Sequence, residues 1–308
     1  MARPAAAPDS RLGATREAVA AALAEIIDRG LAGAPAEIAA PIRYAVLAPG
    51  KRIRPLLVVA AFRTGPRAAG ASPGGPAPAV RLACVVELVH AYSLIHDDLP
   101  CMDDDELRRG RPTVHVQFGV REAILAGAAL MPMAMGLLHE SARELGLADG
   151  VAARLMRILA EASGGAGMVG GQLLDLRAEG RRVELEELER IHLGKTARLI
   201  EASCVMGGTA AGADARILGR LGRFGRALGL AFQVVDDILD VTGTAQSMGK
   251  AGGRDEALGK ATYPGLAGLD GARSRSRDLL RGALDELEPV PRADELREIA
   301  RWVVDRDR

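Results

Sequence analysis

Gln233-Val234-Val235-Asp236-Asp237-Ile238-Leu239-Asp240 carries three carboxylates at positions i, i+1 and i+4. Wound as a helix, they lie at about 0, 100 and 40 degrees around the axis, on one face. Their neighbours Val234, Val235, Ile238 and Leu239 are apolar, and three mutually repelling carboxylates in such surroundings need a cation. The helical reading extends outward from this stretch. No proline occurs between Pro132 and Pro264, and the intervening text is dense in Ala, Leu, Arg and Glu, which are strong helix formers. Apolar residues recur three and four apart, as in Leu155, Ile158, Leu159 and Ala162 and in Leu188, Ile191, Ala197 and Ile200. Asp149-Gly150 predicts the start of one helix. Glu184, Glu186 and Glu187 load the first turn of another, whose later turns carry Lys195 and Arg198, the order the helix dipole favours. Alternating strand-type runs are nearly absent. The expected fold class is all-α, a single domain over residues 1–308. Thr64 to Ala79 reads as a mobile Pro/Gly-rich loop between two helices, and Gly164 to Gly171 as a place where helices bend or pack closely.

Composition excludes several classes. The chain has 308 residues with 40 Lys+Arg against 40 Asp+Glu, and a net charge of zero lacks the basic face that nucleic acid requires. Its three cysteines, Cys84, Cys101 and Cys204, form neither a disulfide framework nor a metal-type pair, which fits a reducing cytoplasm. The longest stretch without charge or His, Ala123 to Leu138, falls short of the ~20 residues needed to cross a bilayer. It reads as a buried core helix, so no membrane span is expected. No apolar h-region follows the N-terminal arginines, so no secretory signal is expected either.

A second acidic cluster runs His96-Asp97-Asp98-Leu99-Pro100-Cys101-Met102-Asp103-Asp104-Asp105-Glu106. An unbroken helix would turn Asp103 away from Asp97, and Pro100 does not sit inside a helix. A bulge after Leu99 is therefore expected to swing Asp103 back toward Asp97, while Asp104, Asp105 and Glu106 read as a solvated face. Oxygen-only ligands favour a hard ion that keeps some of its waters, which suggests Mg²⁺. Arg108-Arg109-Gly110-Arg111-Pro112 follows at once. Carboxylates for metal beside Arg and Lys for anion oxygens are how a protein clamps a diphosphate.

The lysines point the same way. Only four of the 40 basic residues are Lys, there is no Asn, and each lysine follows a glycine: Lys51, Lys195, Lys250 and Lys260. A chain that uses arginine nearly everywhere keeps a compact ammonium on a thin stem at four similar places. Several separate segments are thus expected to hold phosphate-like charge.

The segments GKRIRP (Gly50–Pro55), ELVHAYSLIHDDLPCMDDDELRRGRPTVH (Glu87–His115), GMVGGQLLDL (Gly167–Leu176), GKTARLI (Gly194–Ile200), FQVVDDILD (Phe232–Asp240) and GKATYP (Gly259–Pro264) resemble the trans-prenyl diphosphate synthases, in order and in spacing. The resemblance covers roughly Val46 to Arg281, leaving residues 1–45 and 283–308 weakly determined. It implies an antiparallel helical bundle of the isoprenoid synthase type with a deep central cavity, and a homodimer. It implies that Asp97 and Asp103 hold two Mg²⁺ ions and Asp236 a third, with Asp98, Asp237 and Asp240 in support. Lys51, Arg54, His90 and Arg109 would bind the diphosphate of isopentenyl diphosphate. Arg108, Lys195 and Lys260, with Lys250 near the mouth, would bind the allylic diphosphate. Lys195, Thr196 and Gln233 would also face the cation formed on the allylic carbon. In one departure from the family pattern, Ala128 stands where Asp is usual, and a lost cap or packing hydrogen bond is expected there.

Product length is expected to follow from the cavity floor. Ser93 and Tyr92, four and five residues before Asp97, lie about 6–7.5 Å deeper on a helix. A bulky Tyr92 there would close the cavity after three isoprene units. This resembles bacterial-type farnesyl diphosphate synthases, which make C15, while Cys101 in the spacer also occurs in C20 geranylgeranyl diphosphate synthases. A plain aspartate triad without Asn argues against a terpene cyclase. Two intact aspartate motifs argue against a non-catalytic partner subunit.

Overall fold

Long runs rich in Ala, Leu, Val and Arg fold here as a succession of helices, with Pro41 and Pro132 accommodated inside two of them. The computed structural model describes residues 10–68, 77–242 and 260–305. Its helices are α1 Ser10–Gly30, α2 Ala36–Val46, α3 Ile53–Thr64, α4 Ala77–Asp97, α5 Val114–Phe118, α6 Val120–Glu144, α7 Asp149–Ser163, α8 Met168–Ala178, α9 Leu185–His192, α10 Arg198–Ala210, α11 Ala215–Thr242, α12 Tyr263–Glu286 and α13 Asp294–Val304. Among the described residues the only strands are β1 Leu107–Arg108 and β2 Arg111–Pro112, a two-stranded antiparallel ribbon. The helices expected from Asp149 and from Glu184–Glu187 both form, the second running on from α9 through a π-helical turn, Leu193–Ala197, into α10.

Apolar residues on every side of a helix place it at the centre of a fold. α3, α4 and α10 are of this kind, with buried residues all round. α3 packs between α4 and α10, α6 covers α4, α11 covers α10, and α12 covers α11. This carries the two aspartate motifs to the end of α4 and the last turns of α11. The described parts of the weakly determined ends pack into the same core. Val19, Leu23 and Ile27 of α1 are fully buried, as are Leu296, Ile299 and Val303 of α13.

Two expectations are corrected. The loop expected over residues 64–79 is shorter at both ends: Thr64 closes α3 with its hydroxyl on the Ala61 carbonyl (2.7 Å). Ala77 already belongs to α4, and residues 69–76 lie outside those described. The stretch Ala123 to Leu138 is a core helix on one side only. It lies in α6, whose Ala126, Leu130, Ala134 and Leu137 are buried in the core, while Ile124 and Leu125 are 43% and 47% exposed. By length and composition α4 and α6 could each span a bilayer; α4 is mostly enclosed by protein, whereas α6 shows an apolar outer side.

Candidate active site

The first aspartate motif begins where α4 ends. Asp97 is the last helical residue, and the chain folds back so that the Asp103 N–H donates to the Asp97 carbonyl (2.9 Å). Asp103 therefore returns beside Asp97 as expected, though by terminating the helix rather than by bulging it. Pro100 occupies the resulting exposed turn. Burial, and then the neighbouring Asp103 and Asp98, raise the Asp97 carboxyl to about 6, against the pull of Lys195 and Arg108. A carboxylate held that high is one the ligand-free protein ionises at a cost.

The other acids of this motif do different work. Asp98 is 3% exposed and grips Arg108 through both oxygens (2.7 and 2.9 Å from Nε, 2.5 Å from Nη2). Asp105 is also buried and pairs with Arg108 at 3.1 Å. That corrects its reading as part of a solvated face; Asp104 and Glu106 are exposed as expected. Burial opposes the Arg108 charge, but the bond and charge of Asp98 and the charges of Asp105 and Asp97 raise its pKa overall.

The lysines converge on Asp103. Lys260 Nζ lies 3.0 Å from Asp103 Oδ1, and Lys195 Nζ 3.8 Å from Oδ2. Both lysines also reach one further carboxylate, Asp175 of α8, at 3.4 and 2.6 Å. Burial alone would lower the Lys195 pKa, yet Asp175, Asp103 and Asp97 raise it. Its placement depends on glycine. A Cβ at Gly171 would sit 2.0 Å from the Lys195 backbone N, so α8 and the π turn meet backbone to backbone, the close packing expected of the glycine-rich stretch. The π turn brings Thr196 under α11, where its hydroxyl donates to Gln233 Oε1 (3.0 Å). Lys250 lies outside the described residues.

Asp236 and Asp237 sit in different surroundings. Asp236 is partly exposed and its charge is felt at Arg54. Asp237 is 2% exposed and accepts from Gln233 Nε2 (3.2 Å), His192 Nε2 (3.2 Å) and the Tyr263 backbone N–H (3.0 Å). Oδ2 takes two of these donors and Oδ1 one, so most of its hydrogen-bonding capacity goes to protein.

A second basic group adjoins the first. Burial lowers the Arg54 guanidinium to about 10, with Glu87 and Asp236 pulling the other way, and its buried Nε has no hydrogen-bond partner. Burial, then Arg54, Arg109, Arg108 and Arg52, hold His90 well below its usual value, so at neutral pH it is a neutral hydrogen-bonding group. Arg52 donates to Glu87 (2.5 Å) and to the Val46 and Ala48 carbonyls (2.9 and 2.7 Å), bracing the loop that carries Lys51. Arg109 donates to Pro49 O (2.9 Å), and a Cβ on Gly50 would come within 2.6 Å of its guanidinium. Four guanidiniums around one neutral imidazole, with Glu87 as the principal counter-charge, form a pocket suited to a multivalent anion.

His90 yields a pH prediction. Its folded pKa lies below the unfolded value of about 6.5, so the unfolded chain binds the proton first and stability falls as pH drops below 6.5. Between pH 7.5 and 5.5 the wild type is expected to lose about 1 kcal/mol more than His90→Gln in urea melts. Asp97, with a raised pKa, works in the opposite direction over this window; it is common to both proteins and cancels.

Tyr92 is partly buried on α4, its ring 4.6 Å from that of His96. His96 rests over Gly127 of α6, where a Cβ would come within 2.3 Å of Nε2. Ser93 is turned to its own helix, donating to the His90 carbonyl at 2.9 Å.

The donors fit a hard cation. Asp97 and Asp103 offer only oxygen, and the buried Oε1 of Gln172, whose Nε2 reaches Asp103 at 3.4 Å, has no partner of its own. Among the described residues no three Asp, Glu, His or Cys side chains form a ready metal cage. An ion here would complete its shell with water and phosphate oxygens, as Mg²⁺ commonly does.

This arrangement has counterparts. The polyprenyl synthetase family pattern matches residues 35–300. The chain belongs to that family. Farnesyl diphosphate synthase of Escherichia coli is 48% identical over 81% of each chain. A chloroplastic geranylgeranyl pyrophosphate synthase of Catharanthus roseus is 43% identical over 84% of this chain and 71% of its own. Among solved structures, a geranyltransferase from Helicobacter pylori complexed with magnesium and isoprenyl diphosphate is 31% identical with a TM-score of 0.78, covering 97% of this chain and 98% of that one. As a family member, the chain keeps its fold at the one departure noted above. Ala128 is exposed in the middle of α6, so no helix cap is lost there.

Sequence reasoning left out Asp175, Gln172, Glu87, Arg52, His192 and Tyr263. Asp175 and Gln172 lie in the GMVGGQLLDL segment, whose polar residues at i and i+3 were a usable signal that they share a helix face. The others make contacts between residues far apart in the chain.

Proposed function

We propose that the chain is a farnesyl diphosphate synthase, joining isopentenyl diphosphate to dimethylallyl and then geranyl diphosphate. The observation that carries this reading is two adjoining cationic sites. Lys195 and Lys260 stand over Asp103, Arg54 and Arg109 surround His90, and Arg108 is felt at both Asp97 and His90. In this reading Lys195, Lys260, Arg108 and Lys250 hold the allylic diphosphate. Lys51, Arg54, Arg109 and neutral His90 hold that of isopentenyl diphosphate. Asp97, Asp103 and Asp236 would hold three Mg²⁺ ions, and bound metal supplies Lewis-acid neutralisation of the leaving diphosphate. The allylic C–O bond breaks, the isopentenyl alkene attacks the allylic cation, and a proton leaves to the departing diphosphate. Thr196, whose proton is committed to Gln233, turns oxygen lone pairs toward that cation, and Lys195 keeps the diphosphate paired. The apolar helices packed around the site are taken to keep out water, which would trap the cation as an alcohol.

Tyr92 is taken as the floor that stops growth at C15. A second copy of the chain is taken to cover the apolar outer side of α6, where Val120, Ile124 and Leu125 are exposed, giving a homodimer. Buried Cys84 and Cys204 and exposed Cys101 are all free thiols, and the cytoplasm is the proposed compartment. Incubation with dimethylallyl diphosphate, excess isopentenyl diphosphate and Mg²⁺ is expected to give mainly a C15 alcohol after dephosphorylation, from a species sedimenting as two chains. Dominant C20 would overturn the floor but not the chemistry. No elongation by folded protein would overturn the function.

A further inference from the structure

Each motif opens with two adjacent aspartates, and in each the second is buried and spent on protein. Asp98 is held through both oxygens by Arg108, and Asp237 accepts from three donors on α9, α11 and the start of α12. Adjacent helical positions point about 100 degrees apart, so the first aspartate of a pair can face the substrates while the second faces the packing. What Asp237 grips is the informative part. The N–H it accepts belongs to Tyr263, three residues after Lys260, at the first residue of α12. Tyr263 is 1% exposed, its ring stacks on His192 (centroids 6.1 Å apart, interplanar angle 22°), and its hydroxyl donates to Glu189, which Arg275 also holds at 2.9 Å. Thr262 caps the same turn by accepting from the Gly265 N–H at 3.2 Å. Three rigidly held elements thus meet within one turn of the lysine that reaches Asp103, Asp175 and Glu179 at 3.0, 3.4 and 3.6 Å.

We propose that Asp237, backed by His192, is a positioning residue for Lys260: it pins the start of α12 so that this ammonium is presented to the allylic diphosphate, and it carries no metal. The proposal rests on the reading of Lys260 as a diphosphate ligand. In Asp237→Asn the amide NH₂ must face one of the three donors the carboxylate now accepts, so one bond becomes a repulsion. Lys260 itself is unaltered.

The test is a double-mutant cycle of Asp237→Asn with Lys260→Ala, assayed with geranyl diphosphate, isopentenyl diphosphate and Mg²⁺. Asp237→Asn is expected to lower kcat/KM for geranyl diphosphate about 10-fold, and Lys260→Ala about 100-fold. In the Lys260→Ala background the Asp237→Asn loss should shrink below about 2-fold, because residues acting through one another are not additive. The KM for isopentenyl diphosphate and the Mg²⁺ concentration for half-maximal rate should stay within about 2-fold. His192→Phe keeps the ring over Tyr263 but removes the donor to Asp237; it should show the same non-additivity and serves if Asp237→Asn does not fold. Additive losses, or a Mg²⁺ requirement raised several-fold by Asp237→Asn, would overturn the positioning role. A wild type that does not elongate would instead overturn the enzymatic reading beneath it.

Discussion

Asp103→Asn is expected to lower kcat by about 10³-fold with both substrates saturating, while the protein still folds. Asp103 is the point on which Lys260, Lys195 and Gln172 converge, at 3.0, 3.8 and 3.4 Å, and with Asp97 it is the oxygen pair proposed to hold cation. Losing a single preorganised electrostatic group typically costs about 2.7–4 kcal/mol of transition-state stabilisation. Here one substitution removes a charge from the metal donors and from the lysine network together. The fold survives because both lysines keep Asp175 and because Asn matches the shape of Asp. The informative control is Asp104→Asn, one residue on. Asp104 is exposed with a positive φ of 50°, a conformation Asn accepts readily, so its rate should equal that of the wild type. Steady-state rates with geranyl diphosphate measure both. An Asp103→Asn enzyme within about 10-fold of wild type would remove Asp103 from the metal-holding role.

The contrast between Asp103 and its neighbours also marks how far sequence can be read. Helix existence was legible because the 3.6-residue period is a local signal, and so was the return of Asp103 toward Asp97, which Pro100 makes necessary. Three features were not. The burial of Asp105 comes from Arg108 folding back over the turn through the Leu107–Pro112 ribbon, which no periodicity announces. The exposed side of α6 carries the same apolar residues as a core helix, and composition cannot tell a face covered by its own chain from one left open. Asp236 and Asp237 are identical letters on a shared acidic face, yet one lies toward Arg54 and the other is bound by His192 and Tyr263. What separates them is the docking of α9 and α12, a contact between residues up to 45 positions apart. Residue type announced the chemistry, and tertiary packing divided the roles.

The same packing governs what happens when Tyr92 is shortened. Tyr92→Ala is expected to shift the main product from C15 to C20 and longer. On α4 the residues a turn or more below Tyr92 are Leu88, Val85 and Cys84, all fully buried and apolar, so removing the ring leaves hydrocarbon rather than polar surface for a growing chain to meet. One helical turn advances 5.4 Å, a step comparable with one added isoprene unit. The ring is steadied from above by His96, itself lodged over Gly127 of α6. The backbone of α4 is anchored independently through its packing on α3 and α6, so the space opened should persist instead of collapsing. Ser93 offers no comparable stop, because its hydroxyl is tied to the His90 carbonyl within the helix (2.9 Å), and Ser93→Ala should leave the product unchanged. Truncating a partly buried aromatic also costs stability, about 3 kcal/mol at most for a site less than fully enclosed. Sizing the dephosphorylated products by mass, at equal enzyme turnover, tests the floor directly. A C15 product from Tyr92→Ala would place the floor on another residue, and the first place to look would be the deeper turn at Leu88.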